Sequence, residues 1–415
     1  MTRGLLPGIA VSASFAMGIL HAQNTPVTAF VGATIVDGTG APAVPDGVVL
    51  VSNGRITAAG PAGRVTVPAN ARRIELAGKT ILPGFVNAHG HVAGSGRDEY
   101  TAQLRLYARY GVTSVFSLGG EGADSVPVRD EPARGRARLF IAGPVVAGTT
   151  AAAVTEQVAK NAAMKVDWLK IRIDDNLGTA TKAPIEAWKT AIQQGHARGL
   201  PVAVHIFYLD DAKAALREGV DLIAHSVRDL PVDAELIQLA RSRDVCLSPT
   251  LTREVSTFVY ESTPSFFSDQ FFLRHADKAA MARLSAPGAQ QQMRTSKSAQ
   301  RYKVALEQAS RNVKQLRDAG VRIAMGTDTG AGVGRFQGYF EHVELEMMVK
   351  AGLTPMQAIV AATGDAARCM KKPGIIGTIE PGAFADMAIY AANPSTDIRN
   401  TRTIESVYVS GEPVS

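Results

Sequence analysis

Two histidines, one residue apart, end an apolar run, and their spacing favours a metal site. The run at 81–92 reads Ile-Leu-Pro-Gly-Phe-Val-Asn-Ala-His-Gly-His-Val. On a strand, residues i and i+2 project to the same side, so His89 and His91 converge. Two converging imidazoles suit a divalent ion such as zinc. The alternative is that the two histidines lie close together by chance.

Four further ionisable residues interrupt or end apolar runs of the kind that form buried strands. They are Lys170, His205, His225 and Asp328. A buried ionisable group is costly unless it is paired or bound to a metal. Taken singly, a strand histidine can be a hydrogen-bonded core residue, a buried lysine can form an ion pair, and an aspartate can cap a helix. One set of converging ligands explains all six residues together.

A repeated pattern of strands and helices would position these residues. Apolar runs alternate with helical segments such as 184–198 and 302–319, a rhythm typical of βαβ units and a parallel sheet. Eight strands are predicted, at 85–91, 114–118, 139–142, 168–173, 202–207, 222–227, 245–249 and 322–328. Eight such units predict an α/β fold, a (β/α)8 TIM barrel whose functional residues lie at the carboxyl ends of the strands.

The motif that carries the histidine pair is similar to one found in a known family. Pro83 to His91 resembles the first metal motif of the amidohydrolase superfamily, usually Pro-Gly-(Leu/Phe)-(Ile/Val)-Asp-x-His-x-His, with Asn87 where aspartate is commoner. Segment 377–382 resembles the family's return into a small β-sandwich. The resemblance covers nearly all of the mature chain. It implies a barrel at 84–376 beside a β-sandwich built from N- and C-terminal strands at 23–83 and 377–415.

The resemblance also implies a role for each ionisable residue. His89, His91, Lys170 and Asp328 would hold one divalent ion, and Lys170, His205 and His225 a second. A protonated lysine has no lone pair, so Lys170 would be N-carboxylated by CO₂ and bridge the two ions. Asp328 would be catalytic, taking a proton from a bridging water and passing it to the leaving group. Zinc fits these ligands best, with manganese or cobalt as alternatives.

Substrate contacts are less well marked in the sequence. Tyr208 follows the fifth strand and is a candidate hydrogen-bond donor to substrate, or an ordinary loop tyrosine. Arg228 is a candidate for binding a substrate carboxylate, or a partner of Asp229. Arg172 is a candidate on the same face as Lys170, or a structural partner.

A long segment at 252–297 carries many aromatic residues and follows the seventh strand. It is interpreted either as a lid or apolar substrate wall, or as an insertion that buries its aromatic side chains internally or at a subunit interface. His275 lies in this segment and is not expected to be a ligand. His342, in a stretch that resembles the family's His-x-Glu-Leu segment, is interpreted as architectural.

Within the superfamily, the chain is most similar to the imidazolonepropionase-like and Xaa-Pro dipeptidase-like group, which includes carboxydipeptidases and ochratoxin-hydrolysing enzymes. This similarity implies an enzyme that hydrolyses an amide between an acyl group and an amino acid with a free carboxylate. It also implies that the substrate is a small molecule and that the enzyme is a homo-oligomer. No glutamate follows His205 closely, which argues against the deaminase branch. Hydrolysis of a lactone, ester or carbamate, and a non-catalytic scaffold, are the alternatives.

Composition sets the remaining expectations. The net charge of +6 comes without a dense basic tract, so nucleic-acid binding is not predicted. Cys246 and Cys369 are expected to be two buried thiols, with a disulfide as the alternative. Residues 1–22 read as a signal peptide, with a short membrane anchor as the alternative, and no later apolar run is long enough to span a bilayer. The mature chain, without His21, is expected to be periplasmic or secreted.

Overall fold

The structure is a computed structural model that describes Met1 and residues 26–415, so the predicted signal peptide lies outside the described residues apart from Met1. The strands are β1 (Thr28–Ile35), β2 (Val44–Ser52), β3 (Arg55–Pro61), β4 (Arg72–Glu75), β5 (Thr80–Pro83), β6 (Phe85–Gly90), β7 (Val112–Ser117), β8 (Arg138–Ile141), β9 (Leu169–Arg172), β10 (Val202–His205), β11 (Leu222–Ala224), β12 (Cys246–Ser248), β13 (Met387–Tyr390), β14 (Ile404–Val409) and β15 (Glu412–Pro413).

The helices connect the parallel strands and fill the segment before the C-terminal strands. They are α1 (Arg97–Arg109), α2 (Ser125–Asp130), α3 (Ala151–Ala163), α4 (Ile185–His196), α5 (Leu209–Glu218), α6 (Ala234–Ser242), α7 (Leu251–Val255), α8 (Gln270–Leu273), α9 (Lys278–Ser285), α10 (Pro287–Thr295), α11 (Lys297–Asp318), α12 (Tyr339–Lys350), α13 (Pro355–Ala361) and α14 (Gly364–Cys369), with 3-10 turns at Val259–Glu261, Ser265–Ser268 and Ile398–Arg402. Among the helices that the structure describes, none has the length and apolar character needed to cross a membrane.

The N- and C-terminal strands come together, as predicted for the β-sandwich, and they belong to one sheet. Its order is β15-β14-β13-β5-β1-β2-β3, with β4 pairing with β1. The two ends of the chain meet where β5 and β13 pair antiparallel, with Leu82 opposite Ala388. Asn53 and Gly54 both take a positive φ in the β2–β3 hairpin, the conformation that an Asn-Gly turn favours. The sheet buries apolar side chains on both faces. Leu82, Ala388 and Tyr390 belong to the same cluster as the parallel strands, so the sheet packs against them.

The parallel strands follow the order of a barrel. β6-β7-β8 form one parallel sheet and β9-β10-β11-β12 form another. Asp167 N donates to Ile141 O at 2.8 Å, across the gap between β8 and β9. The helices cover the outside of these strands, and the largest apolar cluster lies between helices and strands. The arrangement is consistent with the predicted TIM barrel, although continuous ladders do not close it.

The predicted eighth strand at 322–328 is wrong as a regular strand. Its backbone bonds to β12 on one side, where Ala324 N donates to Leu247 O at 2.8 Å, and to β6 on the other, where Ala88 N donates to Met325 O at 2.8 Å. The segment therefore fills the eighth position with only an isolated bridge. The segment ends at Asp328, whose left-handed φ of 58° turns the chain away from strand geometry.

The expectation of two buried thiols is also wrong. Cys246 and Cys369 form a disulfide with a Cα–Cα distance of 5.9 Å, and both residues are 3% exposed. Burial was predicted correctly, but the pairing was not, because 123 residues separate the cysteines and only the fold brings β12 against the end of α14.

The aromatic residues of segment 252–297 pack internally, which is one of the two interpretations given above. Phe271 and Phe272 are buried against Tyr110, Tyr339 and Phe340. Tyr260 is 1% exposed and its hydroxyl donates to the carbonyl of Gly334. These side chains therefore anchor the segment to α12 and to the loop before it, instead of forming an open apolar wall.

Candidate metal centre

The six ionisable residues predicted to converge lie at one end of the parallel strands. They are His89 in β6, His91 just after it, Lys170 in β9, His205 at the end of β10, His225 after β11, and Asp328 at the end of the irregular eighth segment. The rings of His89 and His225 lie 4.7 Å apart between centroids, and they join two halves of the cluster. The fold therefore brings every candidate ligand into one buried group.

The first half of the cluster places lone pairs around Asp328. His91 Nδ1 donates to Gly119 O at 3.0 Å, which assigns the proton to Nδ1 and leaves a lone pair on Nε2. That Nε2 lies 2.9 Å from Asp328 Oδ1, and His89 Nε2 lies 3.4 Å from the same oxygen. Burial alone would raise the pKa of Asp328, but the charge of Arg335 holds it well below its usual range. The ligand atoms of His89, His91 and Asp328 therefore converge as they would around one divalent ion.

The second half has the same character. His225 Nδ1 is hydrogen-bonded to Thr250 Oγ1 at 2.6 Å, and His205 Nε2 faces Asp174 Oδ2 at 3.2 Å. With the protons on these outer nitrogens, lone pairs of His225 Nε2 and His205 Nδ1 face each other at 2.8 Å. Burial lowers the pKa of His205 to about 3, against the opposing effect of Asp174, and it lowers the pKa of His225 well below 6.5. Both imidazoles are therefore neutral, the form that binds a metal.

Lys170 lies between the halves. Its Nζ donates to His89 Nε2 at 3.1 Å, and the residue is 4% exposed. Burial lowers the pKa of Lys170 from 10.5 to about 7, although the charge of Asp328 opposes the shift. A substantial neutral fraction at neutral pH gives the amine the lone pair with which it would add CO₂.

The backbone is strained at three positions in the cluster. His225, Asp328 and Thr250 have φ values of 70°, 58° and 51°. Such conformations cost on the order of 1–3 kcal/mol each and persist only where the surroundings enforce them. The imidazoles and the ionised carboxylate of this cluster are ligand types that suit a divalent ion. His89, His91 and Asp328 also have ligand atoms close enough together for one ion.

Four residues that position the candidate ligands were not predicted from the sequence, and two of them are Asp174 and Glu121. Asp174 accepts from Arg172 Nε at 2.7 Å as well as facing His205, so Arg172 is a structural partner, as one interpretation held. Glu121 accepts from the amides of Gly119 and Gly143, and so fixes the carbonyl that orients His91. A signal for Asp174 existed, because it lies two residues beyond Arg172 on the face of Lys170.

Asn87 and Glu341 form a buried network beneath the cluster. Asn87 Nδ2 donates to Glu341 Oε1 at 2.6 Å, while Asn87 Oδ1 accepts from His89 N at 2.9 Å. Thr327 and Thr329, on either side of Asp328, donate to the same Glu341 oxygen at 2.9 and 2.7 Å. Asn87 therefore supplies a donor that an aspartate at that position would lack.

Arg335 is the fourth residue that was not predicted from the sequence. Its guanidinium donates to Asp328 Oδ2, and its Nε donates to Ser256 Oγ at 3.1 Å. The available signal was its place in a glycine-rich loop directly after Asp328, where barrel chemistry is expected.

Tyr208 and Arg228 line a cavity of about 670 Å³ beside α11. The Tyr208 hydroxyl donates to Asp175 Oδ1 at 2.8 Å. The Arg228 side chain is fully buried, lies 3.2 Å from Glu254 Oε1 and donates to the carbonyls of Ile206 and Ser226. The role of Arg228 in binding a substrate carboxylate stays a prediction. The alternative pairing of Arg228 with Asp229 is wrong, because Asp229 instead accepts from Leu209 N at 2.9 Å.

His342 and His275 have structural partners outside the group of candidate ligands. His342 is 0% exposed and its Nε2 donates to Tyr110 O at 2.8 Å. His275 packs edge-on against the ring of Tyr110. Both therefore belong to the aromatic cluster around Tyr110 and α12, away from the six candidate ligands.

Comparisons with known proteins agree with this architecture. The model of the Amidohydrolase family matches residues 80–414. Imidazolonepropionase of Rhizorhabdus wittichii is 26% identical over 374 residues, covering 85% of this chain and 90% of the relative. A crystal structure described as that of a prolidase from Bifidobacterium longum has a TM-score of 0.77 at 24% identity, and the match covers 94% of both chains. A. niger ochratoxinase has a TM-score of 0.74 at 16% identity, covering 94% of this chain and 95% of its own.

Proposed function

Because this chain belongs to the amidohydrolase family and is a hydrolase acting on C–N bonds, we propose that it cleaves an amide joining an acyl group to an amino acid with a free carboxylate. The observation that carries the proposal is the presence of two groups of converging ligand atoms, one around Asp328 and one between His205 and His225. The substrate class is supported by similarity to folds described as prolidase and ochratoxinase. A dipeptide, an N-acyl amino acid or an ochratoxin-like amide belongs to this class.

Each residue has a part in the proposed reaction. His89, His91, Asp328 and an N-carboxylated Lys170 would hold one ion, and Lys170, His205 and His225 would hold the other, zinc being the proposed metal. Two such ions, when bound, polarise the amide carbonyl and lower the pKa of the attacking water. Asp328 accepts the water's proton and delivers it to the nitrogen that leaves as the C–N bond breaks.

Export to the periplasm or the medium is part of the proposal. The predicted signal peptide at 1–22 motivates it, and the buried Cys246–Cys369 disulfide supports it, since such bonds persist mainly in oxidising compartments. A homo-oligomeric assembly stays a prediction.

A hydrolysis screen tests the proposed function. The mature protein, reconstituted with zinc and bicarbonate, is offered dipeptides and N-acyl amino acids beside matched versions whose C-terminal carboxylate is amidated. We expect cleavage of the free-carboxylate substrates and little cleavage of the amidated ones. Cleavage of neither, with two metal equivalents retained, would reject this substrate class and direct the screen to lactones, esters and carbamates. Failure to retain any metal would contradict the enzymatic proposal as a whole.

A further inference from the structure

Arg335 lies at the outer oxygen of the proposed general base. Asp328 Oδ1 faces His91 and His89, whereas Oδ2 accepts from the Arg335 guanidinium. The Arg335 side chain is 19% exposed, while that of Asp328 is 9% exposed. The arginine is therefore the more exposed partner of this ion pair.

The loop that carries Arg335 is held in place by its backbone. Gly330 N donates to Arg335 O at 3.1 Å, and Arg335 N donates to Gly332 O at 3.2 Å. Gly334 has a φ of +87°, and a Cβ there would lie 2.7 Å from the ring of Tyr260, whose hydroxyl bonds the Gly334 carbonyl. With the backbone fixed in this way, movement of the guanidinium depends on its own side-chain torsions.

The contact with Arg335 conflicts with the proposed role of Asp328 as the acceptor of the proton from the attacking water. A guanidinium is permanently protonated and donates without accepting. While it occupies Oδ2, that oxygen is a poor acceptor for the proton of the attacking water. Two other arginines, Arg228 and Arg253, are already paired with Glu254 in the interior, and moving either one would leave a buried charge unpaired. Arg335, partly exposed, can change partners at lower cost.

We propose that Arg335 determines specificity by binding the carboxylate of the substrate, and that its transfer from Asp328 to that carboxylate frees Oδ2 to accept the proton of the attacking water. This inference rests on the proposed function. The exchange replaces one arginine–carboxylate contact by another, and a planar guanidinium can bind a free carboxylate through two hydrogen bonds. A substrate whose carboxylate is amidated leaves Arg335 on Asp328, so both its binding and its turnover are poor.

The test measures kcat and KM separately for the fastest-cleaved dipeptide of the screen and for its C-terminal amide. The enzymes are the metal-loaded mature protein, Arg335→Met, Arg335→Lys, and the control Arg198→Met, an exposed arginine at the end of α4. We expect wild type and the control to prefer the acid by about 10²-fold or more in kcat/KM. In Arg335→Met the preference should fall to near unity, because KM for the acid rises with the loss of its carboxylate contact, whereas kcat for the amide rises because Oδ2 of Asp328 is free. Arg335→Lys should be intermediate.

Metal content, measured by elemental analysis, separates this role from a structural one. Arg335→Met should retain the wild-type number of metal equivalents, and the same must hold for Arg335→Lys if the first variant folds poorly. Preference for the acid that persists in both variants, or loss of bound metal in both, would overturn the role of Arg335 while leaving the proposed function intact. A wild-type protein that does not prefer the acid would overturn the proposed function, and the inference with it.

Discussion

Asp174 fixes which nitrogen of His205 is free to bind a metal. Its Oδ2 faces His205 Nε2 at 3.2 Å, and Arg172 holds the other carboxylate oxygen. Burial alone would raise the pKa of Asp174, but His205 and Arg172 hold it below its usual range, so it is an ionised acceptor at neutral pH. A carboxylate behind a ligating imidazole orients the ring and increases its basicity.

Replacing Asp174 should therefore weaken the second metal position. In Asp174→Ala we expect a loss of about 10–100-fold in affinity for one of two zinc ions, and a smaller loss in Asp174→Asn, which keeps an acceptor. Zinc titration against a competing chelator measures both affinities. Asp210→Ala, an exposed aspartate on α5, is the control. Two ions bound with wild-type affinity in Asp174→Ala would show that Asp174 does not position His205.

Single residues differ in how far the sequence reveals them. His89, His205 and His225 could be recognised because an apolar run that ends in a histidine predicts a strand. In a barrel, the carboxyl end of each strand lies at the face where the functional residues are expected. Arg335 belongs to a loop without periodicity, and charge alone does not say that it meets Asp328. Arg228 shows the converse, because its place after a ligand suggested the site, whereas its guanidinium pairs with Glu254 in the interior.

At the scale of elements, α12 joins β6 to the irregular eighth segment through a buried acid. Glu341 accepts from Asn87 on one side and from Thr327 and Thr329 on the other, and it is 0% exposed. Burial raises the pKa of Glu341 from 4.5 to about 7, although these hydrogen bonds oppose the shift. The folded protein therefore binds this proton more tightly than the unfolded chain does.

This shift predicts how stability varies with pH. The contribution of the Glu341 proton is fully present below about pH 4.5 and is lost as the pH rises through about 7. Glu341→Gln cannot ionise and keeps the accepting oxygen, so its stability should fall less between pH 5 and 8, by about 1–3 kcal/mol relative to wild type. Urea midpoints of the metal-free proteins measure this, with the exposed Glu412→Gln as the control. Parallel pH profiles for wild type and Glu341→Gln would contradict the prediction.

The elements were more predictable than their exact form. Seven of the parallel strands lie where alternating apolar and helical patterns placed them, because buried β-branched runs are a strong local signal. The eighth is irregular because its geometry depends on contacts beyond the segment: at Gly326, a Cβ would lie 2.2 Å from Ser248 Oγ and 2.7 Å from the Cβ of His89. The packing of the aromatic segment was equally undecided in the sequence, since it depends on Tyr110 and α12, which are distant in the chain.

At the scale of the whole molecule, the disulfide ties the parallel strands to the helix that leads into the C-terminal strands. Cys246 begins β12 and Cys369 ends α14, with 123 residues between them. In the unfolded chain this link closes a long loop, and removing such a loop constraint costs about 4–5 kcal/mol in the chain-entropy model. The position of the bond in a buried cluster with Met370 and Ala366 makes it part of the core as well as a covalent link.

We therefore expect the Cys246→Ala/Cys369→Ala double variant to melt roughly 5 °C below the wild type, because the unfolded chain gains conformational freedom. A reductant added before unfolding should lower the melting temperature of the wild type and leave that of the double variant unchanged. Thiol titration in denaturant should find no free thiol in protein recovered from the periplasm or medium and two after reduction, as the chain contains two cysteines. Two free thiols before reduction in exported protein would contradict the disulfide and remove its support for export, whereas free thiols only in protein retained in the cytoplasm would agree with a bond that forms on export.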